Sequence, residues 1–149
     1  MSYTKLSYHC TWSTKHRTAA LYDDMRDRLH SYIARIINDE FGFAREIDGV
    51  DDHVHVLCDL KPKFKVSDVI GTLKAKSSGW IHREFPNLAD MSWQDGYGAF
   101  TVSASAVPDV ARYIRNQEKH HKSMSFEEEF RALLKKHGIE FDERYLFAG

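Results

Sequence analysis

The sequence predicts an α+β fold, namely a ferredoxin-like antiparallel sheet with helices packed on one face. Strand and helix patterns follow one another in the order strand, helix, strand, strand, helix, strand, which is the ferredoxin-like order. A helix carrying Tyr113 and one further helix come after it. The 149 residues include 42% hydrophobic residues, enough for an ordinary core. We therefore expect one domain over residues 1–149, with residues 125–149 as a C-terminal helical extension.

The first strand and first helix follow from two different periodicities. Apolar and polar residues alternate over residues 6–12, which predicts a half-buried strand. A basic turn follows at residues 15–17. Helical spacing then predicts an amphipathic helix of roughly five turns, and Gly42 is well suited to end it. The apolar positions of this helix are Tyr22, Met25, Leu29, Ile33, Ile36 and Ile37.

The next two strands determine how a pair of histidines is presented. Residues 43–50 form the first strand, and two aspartates at 51–52 are a turn signal. In the second strand every other residue is apolar, so His53 and His55 leave the opposite face together. A slip of one residue would send both histidines into the core, so the register is well specified. The apolar positions are Val54, Val56, Cys58 and Leu60.

The sequence also predicts a second helix and a last strand. Ser67 is an expected N-cap for a helix that ends before Pro86. A hairpin is predicted between Ser92-Trp93 and residues 98–104, turning at Asp95-Gly96. The core stripe of the second helix is Val69, Ile70, Leu73, Ser77, Trp80 and Ile81.

Two more helices complete the chain. Pro108 suits the first turn of the third helix, which carries Tyr113 and Gln117. The fourth helix has a capping box formed by Ser125 and Glu128, and Gly138 suits its C-terminal end. Its apolar positions are Phe126, Phe130, Leu133 and Leu134, and the tail after it is rich in aromatic residues.

Composition excludes several classes of protein. The formal net charge of −1 argues against a globally basic binder but permits a local basic surface. Two cysteines are too few for a disulfide framework. The N-terminal segment lacks the apolar stretch of a signal peptide, and no apolar run is long enough to cross a membrane. We therefore expect a cytoplasmic protein without a membrane partner.

The histidine pair is a candidate site for a divalent metal. His53 and His55 together supply two imidazoles, and Gln117 can supply a third ligand through its carbonyl oxygen. Three protein ligands leave positions open for substrate. None of the three is anionic, so the ion keeps its full charge for a phosphate oxygen. Imidazole favours softer metals than magnesium, so manganese should function at this site at least as well as magnesium. The alternative is a pair of surface histidines on a solvated strand.

Tyr113 is the candidate nucleophile. Residues four apart lie on one face of a helix, so Tyr113 and Gln117 would point the same way. A phenol with a pKa of about 10 needs activation by a metal, a base or the substrate. The alternative is an ordinary core aromatic on an amphipathic helix.

Three basic clusters are candidates for contacts with a phosphate backbone. Each cluster alone is typical of a solvated face, but arranged around one surface they could bind nucleic acid. The candidate DNA-binding residues are Lys15, His16 and Arg17, then Lys74 and Lys76, and then Arg112 and Arg115.

The residues together resemble a known family. The stretches Asp52–Leu57 and Tyr113–Gln117, the basic turn after the first strand and the closing helix resemble the single-tyrosine HUH transposases of small insertion sequences. The residues also resemble the REP-associated tyrosine transposase relatives of that family, and the extension after Ser125 suggests that branch. The resemblance covers nearly the whole chain.

The resemblance implies an activity that spacing alone does not. It implies a DNA transposase, a Mg²⁺- or Mn²⁺-dependent strand transferase that cleaves single-stranded DNA. Tyr113 would form a 5′-phosphotyrosine intermediate, with His53, His55 and Gln117 as the metal ligands. Family members bind DNA hairpins as homodimers, and in many of them the tyrosine helix of one subunit completes the site of the other.

Two other functions remain open from the residues. A non-catalytic regulator could keep the fold and bind hairpin DNA without cleaving it. A ferredoxin-like interaction protein could carry the histidines as surface residues only.

Overall fold

The computed structural model describes residues 1–148 and centres on one four-stranded antiparallel sheet. The strand order across the sheet is β2-β3-β1-β4, so the two strands at the centre are distant in sequence. This order and the alternation with helices confirm the ferredoxin-like α+β class. The strands are β1 (Ser7–Ser13), β2 (Gly42–Gly49), β3 (His53–Leu60) and β4 (Gly98–Val102).

Five α-helices are described, two of them between the strands and three after β4. Helix α1 continues into a π-helical segment over Ile37–Phe41, which ends at Gly42 as predicted. The helices are α1 (Asp23–Ile36), α2 (Val66–Glu84), α3 (Val107–Arg115), α4 (Gln117–His120) and α5 (Phe126–Lys136). Among residues 1–148, none of the helices has the length and apolarity needed to cross a membrane.

Helices α1 and α2 cover one face of the sheet and form the main core. The apolar face of β3, with Val54 and Val56 fully buried, packs against the stripes of both helices. Trp12 of β1 lies in the same cluster, and its ring meets the ring of Trp93 edge-on at 6.0 Å. The Trp93 indole donates a hydrogen bond of 3.0 Å to Ser77. This face is the one that the apolar periodicity predicted.

The opposite face of the sheet is covered by the C-terminal helices. Helix α5 and the tail form a second apolar cluster around Phe100 of β4. Gly98 permits this approach, because a Cβ there would lie 2.7 Å from the Phe130 ring. The alternate residues of β1 are therefore buried too, with His9 4% and Thr11 0% exposed. The expectation of a half-buried first strand is wrong, because two layers of helices enclose it.

Three local predictions are corrected. The hairpin around residues 92–104 is absent from the described chain: Trp93 makes an isolated bridge with Thr14, and β4 pairs with β1. Pairing with a central strand satisfies more backbone groups than a short local hairpin. Helix α2 has Lys65 rather than Ser67 at its N-cap position. The third helix is interrupted at Asn116, so Tyr113 and Gln117 lie on successive helices.

The last helix begins and ends as predicted. The Ser125 hydroxyl accepts a hydrogen bond of 3.1 Å from the backbone N–H of Glu128, which is the expected cap. Gly138 follows the helix with φ +67°, the left-handed conformation that glycine adopts without strain. Phe141, Leu146 and Phe147 of the tail pack against the apolar face of α5. The cap at its start, the glycine after its end and the tail along its apolar face therefore stabilise α5 in its position over the sheet.

Candidate active site

The histidine pair lies at the centre of the sheet, on the face covered by α3 to α5. In β3, His53 and His55 are paired with Ser13 and Thr11 of β1. Both imidazoles are completely buried. The predicted register is confirmed, but the pair is an interior feature rather than a solvated one. The alternative of surface histidines is excluded by this burial.

Each of the two imidazole rings makes a hydrogen-bond contact through its Nδ1 atom. His53 Nδ1 lies 2.8 Å from an Asp52 carboxylate oxygen, and His55 Nδ1 shares a hydrogen bond of 2.7 Å with His9 Nε2. These partners fix the ring orientations, as partners of metal-ligating histidines commonly do. The Nε2 atoms of both rings consequently point inward.

Gln117 and Tyr113 reach the same interior point from the helices above. The Gln117 carbonyl oxygen lies 3.1 Å from His53 Nε2, and Gln117 itself is fully buried. The Tyr113 ring stands perpendicular to the His55 ring at 6.0 Å. The interruption at Asn116 does not separate the two side chains, and all four residues meet within one chain.

A carboxylate stands where these side chains converge. Glu129 of α5 is 1% exposed. Its Oε1 atom lies 2.8 Å from His55 Nε2 and 3.4 Å from His53 Nε2. The same oxygen is 3.1 Å from Nε2 of His121, which follows α4. Its Oε2 atom accepts hydrogen bonds from the Tyr113 hydroxyl and, at 3.3 Å, from the Gln117 amide.

The buried charges shift the pKa values of the cluster in different directions. Burial disfavours a charged His53, but its hydrogen bonds to Asp52 and Glu129 outweigh burial and raise its pKa to about 9. Burial dominates at His55 and lowers its pKa to about 4. Burial and the neighbouring His55 lower the pKa of His9 to about 3.

The tyrosine and the carboxylate are shifted most. Burial and the adjacent Glu129 charge raise the pKa of Tyr113 well above its usual value. Burial opposes the Glu129 charge, but hydrogen bonds from His121, His53 and His55 hold the pKa of that carboxyl well below its usual range. In this state the phenol is protonated and the carboxylate is ionised.

The donor set fits a metal ion. One ligand atom from each of His53, His55, His121 and Glu129 lies within 4.8 Å of the others. Imidazole nitrogens and a carboxylate oxygen are common ligands of divalent transition metals. The outer contacts to Asp52 and His9 supply the supporting hydrogen bonds that such sites normally have.

A cavity opens beside the tyrosine. It has a volume of about 570 Å³ and lies between β4, α3 and α5, with Tyr113, Val110, His9, Glu129 and Lys136 among its lining residues. The cavity thus connects the buried cluster with the surface.

The basic candidates are scattered, and several are engaged within the chain. Lys74 and Lys76 lie on α2, which covers the face of the sheet away from the histidines. Lys74 donates to the carbonyls of Gln94 and Gly96, at 2.8 Å and 2.6 Å, and so holds a loop. Lys76 pairs with Glu40 at 2.6 Å.

The other basic candidates lie on the opposite side of the sheet or at its end. Arg112 pairs with Asp109, and Arg115 pairs with Glu46 at 3.3 Å. In the 15–17 turn Lys15 and His16 are exposed, whereas Arg17 donates to the Phe147 carbonyl at 3.3 Å. The structure therefore does not bring the seven candidates onto one continuous surface.

Sequence reasoning missed two residues of the cluster, Glu129 and His121. A signal for Glu129 existed, because it follows Phe126 by three residues and so lies on the buried stripe of its helix. A carboxylate at such a position needs a buried partner. No local pattern distinguished His121 from the histidine beside it.

Comparison with known proteins places the chain among transposases. A family model described as IS200-like transposase matches residues 2–117. The transposase for insertion sequence element IS200 of Salmonella typhimurium is 28% identical over 120 residues, covering 77% of this chain and 78% of that protein. The crystal structure of a presumed transposase from Deinococcus radiodurans R1 has a TM-score of 0.65 and 28% identity, covering 78% of this chain and 93% of that one.

A second solved structure shares the fold at lower identity. It is a REP-associated tyrosine transposase bound to a REP hairpin, with a TM-score of 0.61 and 15% identity, covering 81% of this chain and 72% of that one. The family match ends at residue 117. Glu129, His121 and helix α5 therefore lie beyond the part of the chain that the family model describes.

Proposed function

We propose that this chain, which belongs to the IS200-like transposase family, is a metal-dependent enzyme that cleaves single-stranded DNA and rejoins it. Tyr113 would be the nucleophile, and His53, His55 and Gln117 would hold the metal. The observation that carries the proposal is that these four side chains converge on one buried point. His55, Tyr113 and Gln117 contact the Glu129 carboxylate. Gln117 also contacts His53.

The reaction can be written with named atoms. The Tyr113 oxygen attacks the phosphorus of a phosphodiester, so a bond between oxygen and phosphorus forms. The bond from phosphorus to the 3′ oxygen breaks, and that oxygen leaves as a 3′-hydroxyl after taking a proton. The phosphate stays on the tyrosine as a 5′-phosphotyrosine. Attack by another 3′-hydroxyl reverses these bond changes and joins the strands without external energy.

The chain's own groups have separate tasks in this scheme. A bound divalent ion would polarise the phosphate and stabilise the charge that develops on its oxygens. Asp52 and His9 hold the rings of His53 and His55 in place through their Nδ1 atoms. Glu129 accepts the Tyr113 hydrogen bond and so orients the phenol; the proton that the phenol loses balances the one that the leaving 3′ oxygen takes.

The substrate is proposed to be a hairpin-bearing single strand. A relative with the same fold was solved with a REP hairpin, and the cavity beside Tyr113 has a volume of about 570 Å³, within the range of small-ligand sites. Among the basic candidates, Lys15 and His16 are exposed in the turn after β1. A homodimer is proposed as well, with the site assembled within one chain, because Tyr113 reaches the cluster of its own subunit.

The test is covalent capture of DNA. Purified protein with Mn²⁺ or Mg²⁺ should form a DNA adduct that survives denaturing electrophoresis and is destroyed by protease. Tyr113→Phe should abolish the adduct while hairpin binding persists, because only the nucleophilic oxygen is removed. Tyr145→Phe is a matched control on an exposed tyrosine. An adduct of normal yield in Tyr113→Phe would rule out the assignment.

The second candidate function is a regulator that binds hairpin DNA without cleaving it. The observation in its favour is that Glu129 occupies the point of convergence and holds the phenol protonated. This function predicts salt-dependent binding of the hairpin and no adduct under any metal condition. Capture of any tyrosine adduct in the wild-type protein would exclude it.

A further inference from the structure

Helix α5 and the segment before it contribute two side chains that a His-His-Gln site does not need. Glu129 and His121 both enter the cluster from the region after residue 117, where the family match ends. Both have their polar atoms turned to the histidine pair, and Glu129 is 1% exposed. A carboxylate buried this deeply costs free energy unless it meets positive charge or several donors.

The atoms around Glu129 are arranged like ligands around a cation. Three imidazole Nε2 atoms face one carboxylate oxygen, at 2.8, 3.1 and 3.4 Å. In a tetrahedral site with bonds of about 2.0–2.1 Å, neighbouring ligand atoms lie about 3.3 Å apart. The longest of these three separations matches that spacing, and the two shorter ones are hydrogen-bond distances that would lengthen slightly around an ion.

The hydrogen-bond contacts of the His53 ring also indicate a cation within the cluster. His53 Nδ1 faces an Asp52 carboxylate oxygen at 2.8 Å, so its N–H is directed there. In a neutral ring the Nε2 atom is then a bare lone pair. That lone pair faces two further acceptors, the Gln117 carbonyl oxygen at 3.1 Å and Glu129 at 3.4 Å. A cation at Nε2 satisfies these acceptors together, either as a proton in the metal-free protein or as a metal ion shared by the cluster.

We infer that the ion in this protein is held by His53, His55, His121 and Glu129, and that it is a divalent transition metal of the zinc or cobalt kind. Three imidazoles and one carboxylate form a set that favours zinc, cobalt or manganese over magnesium. Gln117 then lies beside the ion, and its amide donates a hydrogen bond of 3.3 Å to Glu129 Oε2. The inference rests on the proposed metal site and replaces Gln117 in it with two ligands from the C-terminal segment.

The consequence is a physical link between α5 and the sheet. An ion bonded to β3 and to Glu129 would fasten the C-terminal helix over Tyr113. Removal of the ion should loosen α5 more than α1 or α2, because those helices are held by apolar contacts on the other face. Hydrogen exchange of the α5 backbone with and without bound metal measures this directly.

Cobalt binding to the whole protein without DNA is the test. Co²⁺ in a tetrahedral site of nitrogen and oxygen ligands absorbs in the visible range, so the spectrum reports the ligand set independently of catalysis. We expect one Co²⁺ per chain, displaced by Zn²⁺. Glu129→Gln and His121→Ala should each weaken binding by more than about tenfold, since even outer partners of ligands contribute about 10–100-fold. Both should also change the spectrum.

Matched variants separate a ligand role from damage to the fold. Glu128→Gln alters the neighbouring exposed carboxylate of α5 and should bind Co²⁺ normally. Gln117→Ala should change the affinity much less than Glu129→Gln. The His121 side chain is 8% exposed and contacts Glu129, so far-UV circular dichroism and the unfolding temperature of metal-free His121→Ala are measured beside Co²⁺ binding to separate the loss of a ligand from damage to the fold.

The outcomes distinguish this inference from the proposed function. Normal Co²⁺ binding in Glu129→Gln and His121→Ala, with loss in His53→Ala, would overturn the four-ligand site and leave the proposed His-His-Gln site standing. Normal binding in His53→Ala and His55→Ala would remove both. Loss in all four variants, with normal binding in Glu128→Gln, is the result that the inference requires.

Discussion

The two faces of β3 are buried by different interactions. On one face, Val54 and Val56 lie in a continuous apolar core with the stripes of α1 and α2. On the other face, His53 and His55 are equally buried but meet a carboxylate, an amide, a phenol and a further imidazole. Apolar burial is non-directional and tolerates many partners. The polar face works only if each donor finds its acceptor, so its partners must be specific.

The difference also concerns which parts of the chain build each face. The apolar face is covered by α1 and α2, which lie between residues 23 and 84, whereas the polar face is covered by helices that come after β4. A change on the apolar side should therefore act on the stability of the whole fold. A change on the polar side should act chiefly on the site and on the attachment of α5.

The largest expected effect tests the apolar face. Leu73→Ala removes a side chain of α2 that is 1% exposed, and should lower the free energy of unfolding by about 2–5 kcal/mol. Chemical denaturation measures this value. Lys76→Ala, at an exposed position of the same helix, should cost less than about 1 kcal/mol. Equal costs for the two variants would mean that α2 does not pack on the sheet as described.

The next effect concerns pH and the one histidine buried in α1. Burial lowers the pKa of His30 from 6.5 to about 4, and nearby Asp27 opposes this only in part. The unfolded chain then binds more protons than the folded one between these values, so stability is present above pH 6.5 and is lost as pH falls. The contribution is up to about 3 kcal/mol.

Replacement of His30 by glutamine should make the stability curve flatter between pH 6.5 and about 4. Denaturation at several pH values gives the slope. Above pH 7 the histidine is neutral in both states, so any difference there measures packing alone. An unchanged acid slope in His30→Gln would show that this imidazole titrates normally and is not buried in the core.

A smaller effect sharpens the role of α5 on the polar face. Ser125→Ala removes the hydroxyl that caps α5, and should destabilise the helix by about 1 kcal/mol. Because α5 carries Glu129, hydrogen exchange should quicken at α5 and at the α3–α4 turn but not in α1. Ser123→Ala, which lies outside the helix, is the control. Uniform quickening across the chain would contradict the separate attachment of this helix.

The smallest expected effect lies at the surface near the polar face. Arg115 pairs with Glu46 at 3.3 Å, and its side chain is 58% exposed. Arg115→Ala should change the free energy of unfolding by less than about 1 kcal/mol. If Arg115 contacts a phosphate, the same variant should reduce the steepness with which the logarithm of the hairpin-binding constant falls with the logarithm of the salt concentration, by about one. An unchanged slope would remove Arg115 from the candidate contacts.

Periodicity predicted the apolar face closely but the polar face only in part. The strand register, the stripes of α1 and α2 and the Ser125 cap are local patterns, and the structure confirms them. The exception is Tyr22, predicted on the stripe of α1, which precedes the helix and is 49% exposed. The hairpin around residues 92–104 is wrong, because β4 gained a distant partner that no local pattern encodes. The single helix proposed for Tyr113 and Gln117 is interrupted at Asn116, although both side chains still reach the site.

The sequence by itself determined the α+β class, the face on which His53 and His55 lie, and the resemblance to a transposase family that the comparisons bear out. Only the tertiary structure decided that this face is closed by α5 and that Glu129 and His121 join the pair. Alternation along a strand is set by backbone geometry, so it can be read from neighbouring residues. The meeting of β3 with α5 joins residues 74 positions apart, and such a contact depends on how the whole chain folds back on itself.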